Sequence, residues 1–250
     1  MRVISLSQMD SIRLMNRTDT KFFATPAQLD ALLEGAGAAG YYVFDDGYGR
    51  ITPYDTLYYD TPGLDMYLAH HNRRLVRRKV RVRTYVHSGV TFLEVKLKDN
   101  HGRTRKKRRE CTGEEPFEGQ RAVFVAEKTG YGISSLNPSL RTVFDRITLV
   151  NPEKTERLTI DFNLRFLNPR TGVEADMGDG VIVELKQDSL KPSKTREILR
   201  ELRVKPFKIS KYCIGTALTT PGLKQNRFKT KIRTINKLTR DAAPISPSGL

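Results

Sequence analysis

Along much of this chain, apolar and polar side chains alternate with a period of two. A strand sends successive side chains to opposite faces, so this alternation predicts half-buried strands. Lys79-Val80-Arg81-Val82-Arg83 puts its cations on one face and its valines on the other. Glu94-Val95-Lys96-Leu97-Lys98, Val183-Glu184-Leu185-Lys186 and the run from Arg157 to Arg165 repeat the arrangement. Met15 to Phe23 reads as an opening strand with Arg17, Asp19 and Lys21 on one face. Further strands are predicted at 54–60, 76–87, 91–98, 103–111, 140–150, 156–166 and 181–187. Ser88-Gly89 and Asp99-Asn100-His101-Gly102 are hairpin signals, so most pairings are expected to be antiparallel. Helical patterns interrupt the strands. Pro26 opens one, with Thr25 as N-cap and Gly35 as terminator. Others fall near 64–71, over 193–202 and after Tyr212, while 116–136 reads as helix or loop.

Two architectures bury such faces. A sandwich hides the apolar faces and gives the charged ones to water, whereas a barrel can line its lumen with charge and pack apolar faces under outer helices. The face Leu158, Ile160, Phe162, Leu164 and Phe166 is too apolar to be exposed, and either architecture covers it. The charged face decides. It mixes cations with Glu94, Asp161 and Glu184, which suits a phosphate and metal site. The expected fold is α+β: an antiparallel β-barrel of about eight strands forming a basic tunnel, with flanking helices.

The chain has 250 residues and a formal net charge of +16, so its expected partner is anionic. Two cysteines, Cys111 and Cys213, form no CxxC pair, which suggests a reducing compartment without a disulfide framework or zinc site. No signal peptide or transmembrane helix is legible, and a cytoplasmic location is expected. Between Lys224 and Arg240 there are seven Lys or Arg and no acid. Residues 1–220 are therefore expected to form the tunnel domain, and 221–250 a basic tail, flexible or weakly helical, that is simply solvated or tethers a partner or membrane.

Arginine grips phosphate with a planar fork, and lysine supplies a compact charge. A strand spaces same-face side chains by roughly 6–7 Å, near the scale of successive phosphates. Mg²⁺ or Mn²⁺ uses one or two carboxylates together with substrate phosphates, and Glu184, beside Lys186, is the first metal candidate. Any one basic strand is ordinarily an exposed sheet face; several in one chain are not. The cluster 103–109 reads as a nucleic-acid patch or a solvated hairpin, and His70, His71, His87 and His101 read as surface residues without metal-ligand spacing. The signatures of P-loop enzymes, dinucleotide binders and serine hydrolases are lacking.

Nine short motifs occur in a familiar order. They are Arg17-Thr18-Asp19-Thr20-Lys21-Phe22, Leu57-Tyr58-Tyr59-Asp60-Thr61, Lys79-Val80-Arg81-Val82-Arg83-Thr84-Tyr85, Phe92-Leu93-Glu94-Val95-Lys96 and Thr104-Arg105-Lys106-Lys107-Arg108. Phe144-Asp145-Arg146, Arg157-Leu158-Thr159-Ile160-Asp161, Val183-Glu184-Leu185-Lys186 and Ser210-Lys211-Tyr212 follow. Over residues 10–218 this order resembles the VTC-type polyphosphate polymerase domain of the triphosphate tunnel metalloenzyme, or CYTH-like, superfamily. Asp19 stands where the family usually has Glu, and Phe22 and Phe144 where Tyr is common. The resemblance implies transfer of the γ-phosphoryl of ATP onto a polyphosphate chain inside a basic tunnel, with Mn²⁺ or Mg²⁺. It implies phosphate contacts from Lys21, Arg81, Arg83, Lys96, Arg146, Arg157 and Lys211. Arg17, Lys79, Lys106, Arg108 and Lys208 would help hold the nucleotide or chain, and Glu184 the metal. ATP and polyphosphate are the implied partners, with no specific nucleic acid and room for a membrane-associated protein. The same lining would serve a tripolyphosphatase or nucleoside triphosphatase, and a polyphosphate-binding module without turnover is the remaining alternative.

Overall fold

In the computed structural model the period-two segments pair into one curled antiparallel sheet. Residues 1–10, 12, 17–188 and 192–239 are described. In chain order the strands are β1 (Arg2–Ile4), β2 (Arg17–Ala24), β3 (Tyr42–Phe44), β4 (Thr52–Asp60), β5 (Arg77–Tyr85), β6 (Thr91–Lys98), β7 (Thr104–Glu110), β8 (Asn137–Val150), β9 (Glu156–Leu167), β10 (Glu174–Asp176) and β11 (Val181–Asp188). The helices are α1 (Leu6–Asp10), α2 (Pro26–Ala38), α3 (Asp65–His71), α4 (Gln120–Thr129), α5 (Lys194–Glu201), α6 (Lys211–Thr219) and α7 (Asn226–Thr239). The part of the expected first strand before Arg17 lies outside the described residues, as does the tail from 240.

The main path runs β2-β11-β9-β8-β4-β5-β6-β7, eight strands with antiparallel neighbours. Among the described residues β2 and β7 share no ladder, so the sheet is a half-barrel rather than a closed one. Segment 206–210 crosses part of its opening. Phe207 N donates to Lys21 O at 2.6 Å, Lys21 Nζ to Ile209 O at 3.3 Å, and Lys79 Nζ to Ser210 Oγ at 2.9 Å. One stretch of chain thus touches both β2 and β5.

The outer face is apolar and covered. Leu158, Ile160, Val183, Leu185 and Leu149 pack with Leu29 and Leu32 of α2 and Ile198 and Leu199 of α5. Further round, Val80, Val82, Leu93 and Val95 lie under Phe124 and Val125 of α4. Each such side chain contributes roughly 1.5–3 kcal/mol on burial. Thr25 caps α2 as expected, in a reciprocal box with Gln28. Gly35 does not end that helix, which continues to Ala38. It is instead a contact point, because a Cβ there would lie 3.2 Å from Ile198.

One expected face is split in two. Asn163 adopts φ +53, and the β8–β9 register shifts between Val143 and Asp145. An extra residue in a period-two element reverses which side faces in. Leu158, Ile160 and Phe162 therefore pack outward, while Leu164 and Phe166 join Leu140 and Phe144 under α6. Gly215 lets α6 come this close: a Cβ there would sit 2.6 Å from Phe166 and 2.7 Å from Leu140. At one end of the half-barrel, then, the inner face is apolar and plugged by a helix.

Two surface expectations also change. His71 is buried, with Nε2 2.7 Å from Asn226 Oδ1, and so fastens α7 to α3. Within the basic stretch after 220, α7 lays Phe228, Ile232 and Ile235 against the α6 cluster. No described helix is long and apolar enough to cross a membrane.

Candidate functional site

Cross-strand register gathers a row of charged side chains from β2, β11, β9, β8, β5, β6 and β7 onto the same face. Arg81 stands opposite Glu94 and Tyr58, Lys79 opposite Lys96, and Arg83 opposite Thr56 and Phe92. On β7, Lys106 is opposite Lys96 and Arg108 opposite Glu94. On the other wall Arg146 meets Asp161, Lys186 meets Arg157 and Asp19, and Lys21 meets Glu184. Lys21 on the first strand of the path and Lys96 on the seventh feel each other's charge, so this face is the inside of the curl. Val80 and Val82 point out under α4.

Two buried carboxylates fix two of the arginines. Glu94, 1% exposed, accepts from Arg81 Nε at 2.7 Å and from Lys106 Nζ at 2.9 Å. Burial alone would raise its pKa, but Arg81, Arg83 and Lys106 hold it well below the ordinary value. Asp161, 2% exposed, accepts from Arg146 Nε at 2.5 Å and Nη2 at 2.8 Å, and from Lys211 at the start of α6. Its burial is likewise outweighed by Arg146 and Lys211, which keep it ionised. A guanidinium has five donors. Gripped by one side, each arginine is oriented and keeps donors for an anion.

Several cations on this face lie below their ordinary pKa, whether or not a carboxylate meets them. Burial, reinforced by Lys79 and Lys21, lowers Lys96 to about pKa 8. Lys211 also falls to about 8, chiefly through burial. Arg83, 6% exposed, donates Nε to Thr56 Oγ1 at 3.0 Å and lies 5.2 Å from the Tyr54 ring centre. Burial and the charge of Arg81 lower it to about 10. Burial also lowers Lys79, Lys106 and Lys186. Positive charge in excess of its counter-ions is the common state of this surface.

Most expected site residues are brought together here: Lys21, Lys79, Arg81, Arg83, Lys96, Lys106, Arg108, Arg146, Arg157, Glu184 and Lys211. Arg108 lies at the exposed β7 edge, its guanidinium 4.3 Å from the Phe92 ring centre. Arg17 begins β2, but its side chain lies outside the described residues. Lys208 is not among them: it is exposed on the crossing segment beside α7. Glu184 contacts Lys186 at 2.7 Å and Lys21 at 3.8 Å. Burial is outweighed by those two lysines, which hold it well below the ordinary carboxylate range.

The motifs place Glu94 and Asp161 on the charged face without giving either a role, and give none to Tyr58 or Lys186. Pairing across strands would have assigned all four to the site, since each faces a residue that was singled out. Tyr58 accepts from Arg81 Nη1 at 3.2 Å. Its burial is outweighed by Arg81, Arg83 and Lys79, which lower the phenol to about pKa 7. Asp60, two residues on, has a positional role. It accepts from Thr61 N, Met66 N and Tyr67 N at the start of α3 and from the Tyr212 hydroxyl of α6.

Among solved structures, a candidate adenylate cyclase from Bacillus halodurans is similar with a TM-score of 0.51 at 12% identity, over 78% of this chain and 96% of that one. A candidate adenylyl cyclase from Hippeastrum, described as having a dominant triphosphatase activity, gives a TM-score of 0.44 at 13% identity, over 87% and 96%. Likeness at such identity concerns the fold. No curated protein matches the sequence. Residues 16–220 match the VTC domain, and the chain belongs to that family.

Proposed function

We propose that this protein is a polyphosphate polymerase whose inner face binds ATP and a polyphosphate chain end to end. A terminal phosphate oxygen of the chain attacks the γ-phosphorus of ATP. A new P–O–P bond forms, the β–γ bridging P–O bond breaks, ADP leaves, and the chain is one phosphate longer. Little covalent work falls to the protein; it positions the reactants and offsets their charge. Arg81 and Arg146, oriented by Glu94 and Asp161, are suited to clamp phosphoryl oxygens. Lys79, Lys96 and Lys21 supply charge along the chain. The observation that carries this reading is the register that gathers Lys21, Lys79, Arg81, Lys96, Lys106 and Arg146 on one inner face, a crowding of positive charge that a polyanion would relieve.

A divalent metal fits this site in one way. Among the described residues no group of three or more His, Cys, Asp or Glu could hold a metal. Glu94 and Asp161 are committed to arginine and lysine. Glu184 is paired with Lys186 and Lys21 and with no arginine, and it is the carboxylate that would share Mn²⁺ or Mg²⁺ with substrate phosphates, the mode these ions favour. Bound there, the metal would neutralise charge on the transferred phosphoryl group.

The test is incubation with ATP and Mn²⁺, with product resolved by size. Long phosphate polymer is expected, and a chelator should abolish it. Release of orthophosphate alone would reassign the site to hydrolysis. Glu184→Ala should keep the fold and lose metal-dependent turnover; unchanged turnover removes Glu184 from the metal role.

A further inference from the structure

The basic helix α7 lies beyond the VTC-matched residues 16–220, yet it is packed into the domain. Tyr67 OH donates to Lys224 O at 2.9 Å, and buried His71 contacts Asn226. Phe228, Ile232 and Ile235 face the body, which turns Arg227, Lys229, Arg233 and Lys237 to solvent. No acidic residue occurs between 221 and 239. A helix with this much like charge is destabilised by self-repulsion, so docking it here needs a compensating reason.

Its position supplies one. Lys231 Nζ donates to the carbonyl of Lys208, on the crossing segment whose next two residues touch Lys21 and Lys79 of the inner face. Arg73 and Lys208 are close enough to Lys231 to disfavour its charge, after burial. On β5 and β6 Arg77 stands opposite Lys98, two register positions along from Lys79 and Lys96. Basic groups therefore continue from the inner face, past the crossing segment, onto α7. The helix adds about 21 Å to that path, more than a triphosphate can use.

We propose that α7 is an outer track for the polyphosphate chain, holding the part that extends beyond the inner face. This rests on the polyphosphate reading of that face. The solvent side of α7 favours this occupant over other polyanions. Phe228, Ile232 and Ile235 are spent on the body and Leu238 is the exposed apolar residue of the helix, which leaves little to insert into lipid. It offers no aromatic platform for bases.

The test is a variant with Arg227, Lys229, Lys231, Arg233 and Lys237 all changed to Gln, a good helix former. Arg233→Glu/Lys237→Glu, at two exposed positions, is a second variant that leaves the Lys231 contact in place. Binding is measured for long-chain polyphosphate, tripolyphosphate and phosphatidylserine vesicles. Wild-type protein should bind the long chain at least about tenfold more tightly than tripolyphosphate, with steeper salt dependence. Both variants should lose that advantage and bind tripolyphosphate as before. Unchanged long-chain affinity, an equal loss for tripolyphosphate, or a loss confined to vesicles would each overturn the proposal. These are binding measurements, so failure to make polymer from ATP would refute the polymerase reading separately.

Discussion

Lys96 stands among Lys79, Lys21 and Arg81 and carries its proton only up to about pH 8. A bound phosphate favours the charged form, so binding near that pH should draw in a proton. Calorimetry of tripolyphosphate in buffers of different ionisation enthalpy should show uptake, and affinity should weaken from about pH 7 to about pH 9. No uptake and a flat profile would mean that Lys96 does not meet the ligand. Stability of the free protein should move the other way. The folded-state pKa of Lys96 and Lys211, about 8, lies below the ordinary lysine value, so between the two the unfolded chain binds more protons. Stability therefore rises with pH across that window. Tyr58, lowered to about 7, acts in the same direction. Melting temperatures without ligand should increase as the ligand's affinity falls.

At the scale of elements, the site depends on two local departures from regularity. Gly215 lets α6 settle on Phe166 and Leu140, and α6 carries Lys211 to Asp161. Gly215→Ala should cost about 1–3 kcal/mol, read as a shift in denaturant midpoint, and should lower activity by displacing Lys211. A fully stable, fully active variant would show that the close approach is unimportant. Asn163 holds the left-handed turn that reverses the face of β9, and Asn163→Gly should preserve it. Asn163→Val should cost about 1–3 kcal/mol in stability, because a β-branched residue resists that conformation. Much of this architecture was legible in the sequence. Strict alternation announced the strands and their charged faces, and Ser88-Gly89 the turn joining β5 to β6. The bulge was not legible: Leu164 and Phe166 continue the apolar alternation of Leu158 and Ile160, and only a left-handed Asn separates them. Gly35 misled because a glycine that ends a helix and one that admits a neighbour look alike in sequence. The docking of α7 was hidden by the charge around Phe228, Ile232 and Ile235.

The whole molecule is a half-barrel with an apolar outside under helices, one inner end plugged by α6, and the rest of the inner face basic. Counter-charge is present but deliberate in placement: Glu94 and Asp161 orient arginines, while Lys79, Lys96 and Arg83 are kept short of it. Such a surface is complementary to a linear phosphate chain, and its surplus charge is the central claim. Arg83→Gln/Lys96→Gln removes two of the cations without touching the Glu94 or Asp161 pairs. Each charge-assisted contact contributes about 1.5–3 kcal/mol. Titration calorimetry should therefore show tripolyphosphate affinity falling at least about a hundredfold relative to the unaltered protein. An unchanged affinity in a folded variant contradicts placement of the phosphates on the inner face.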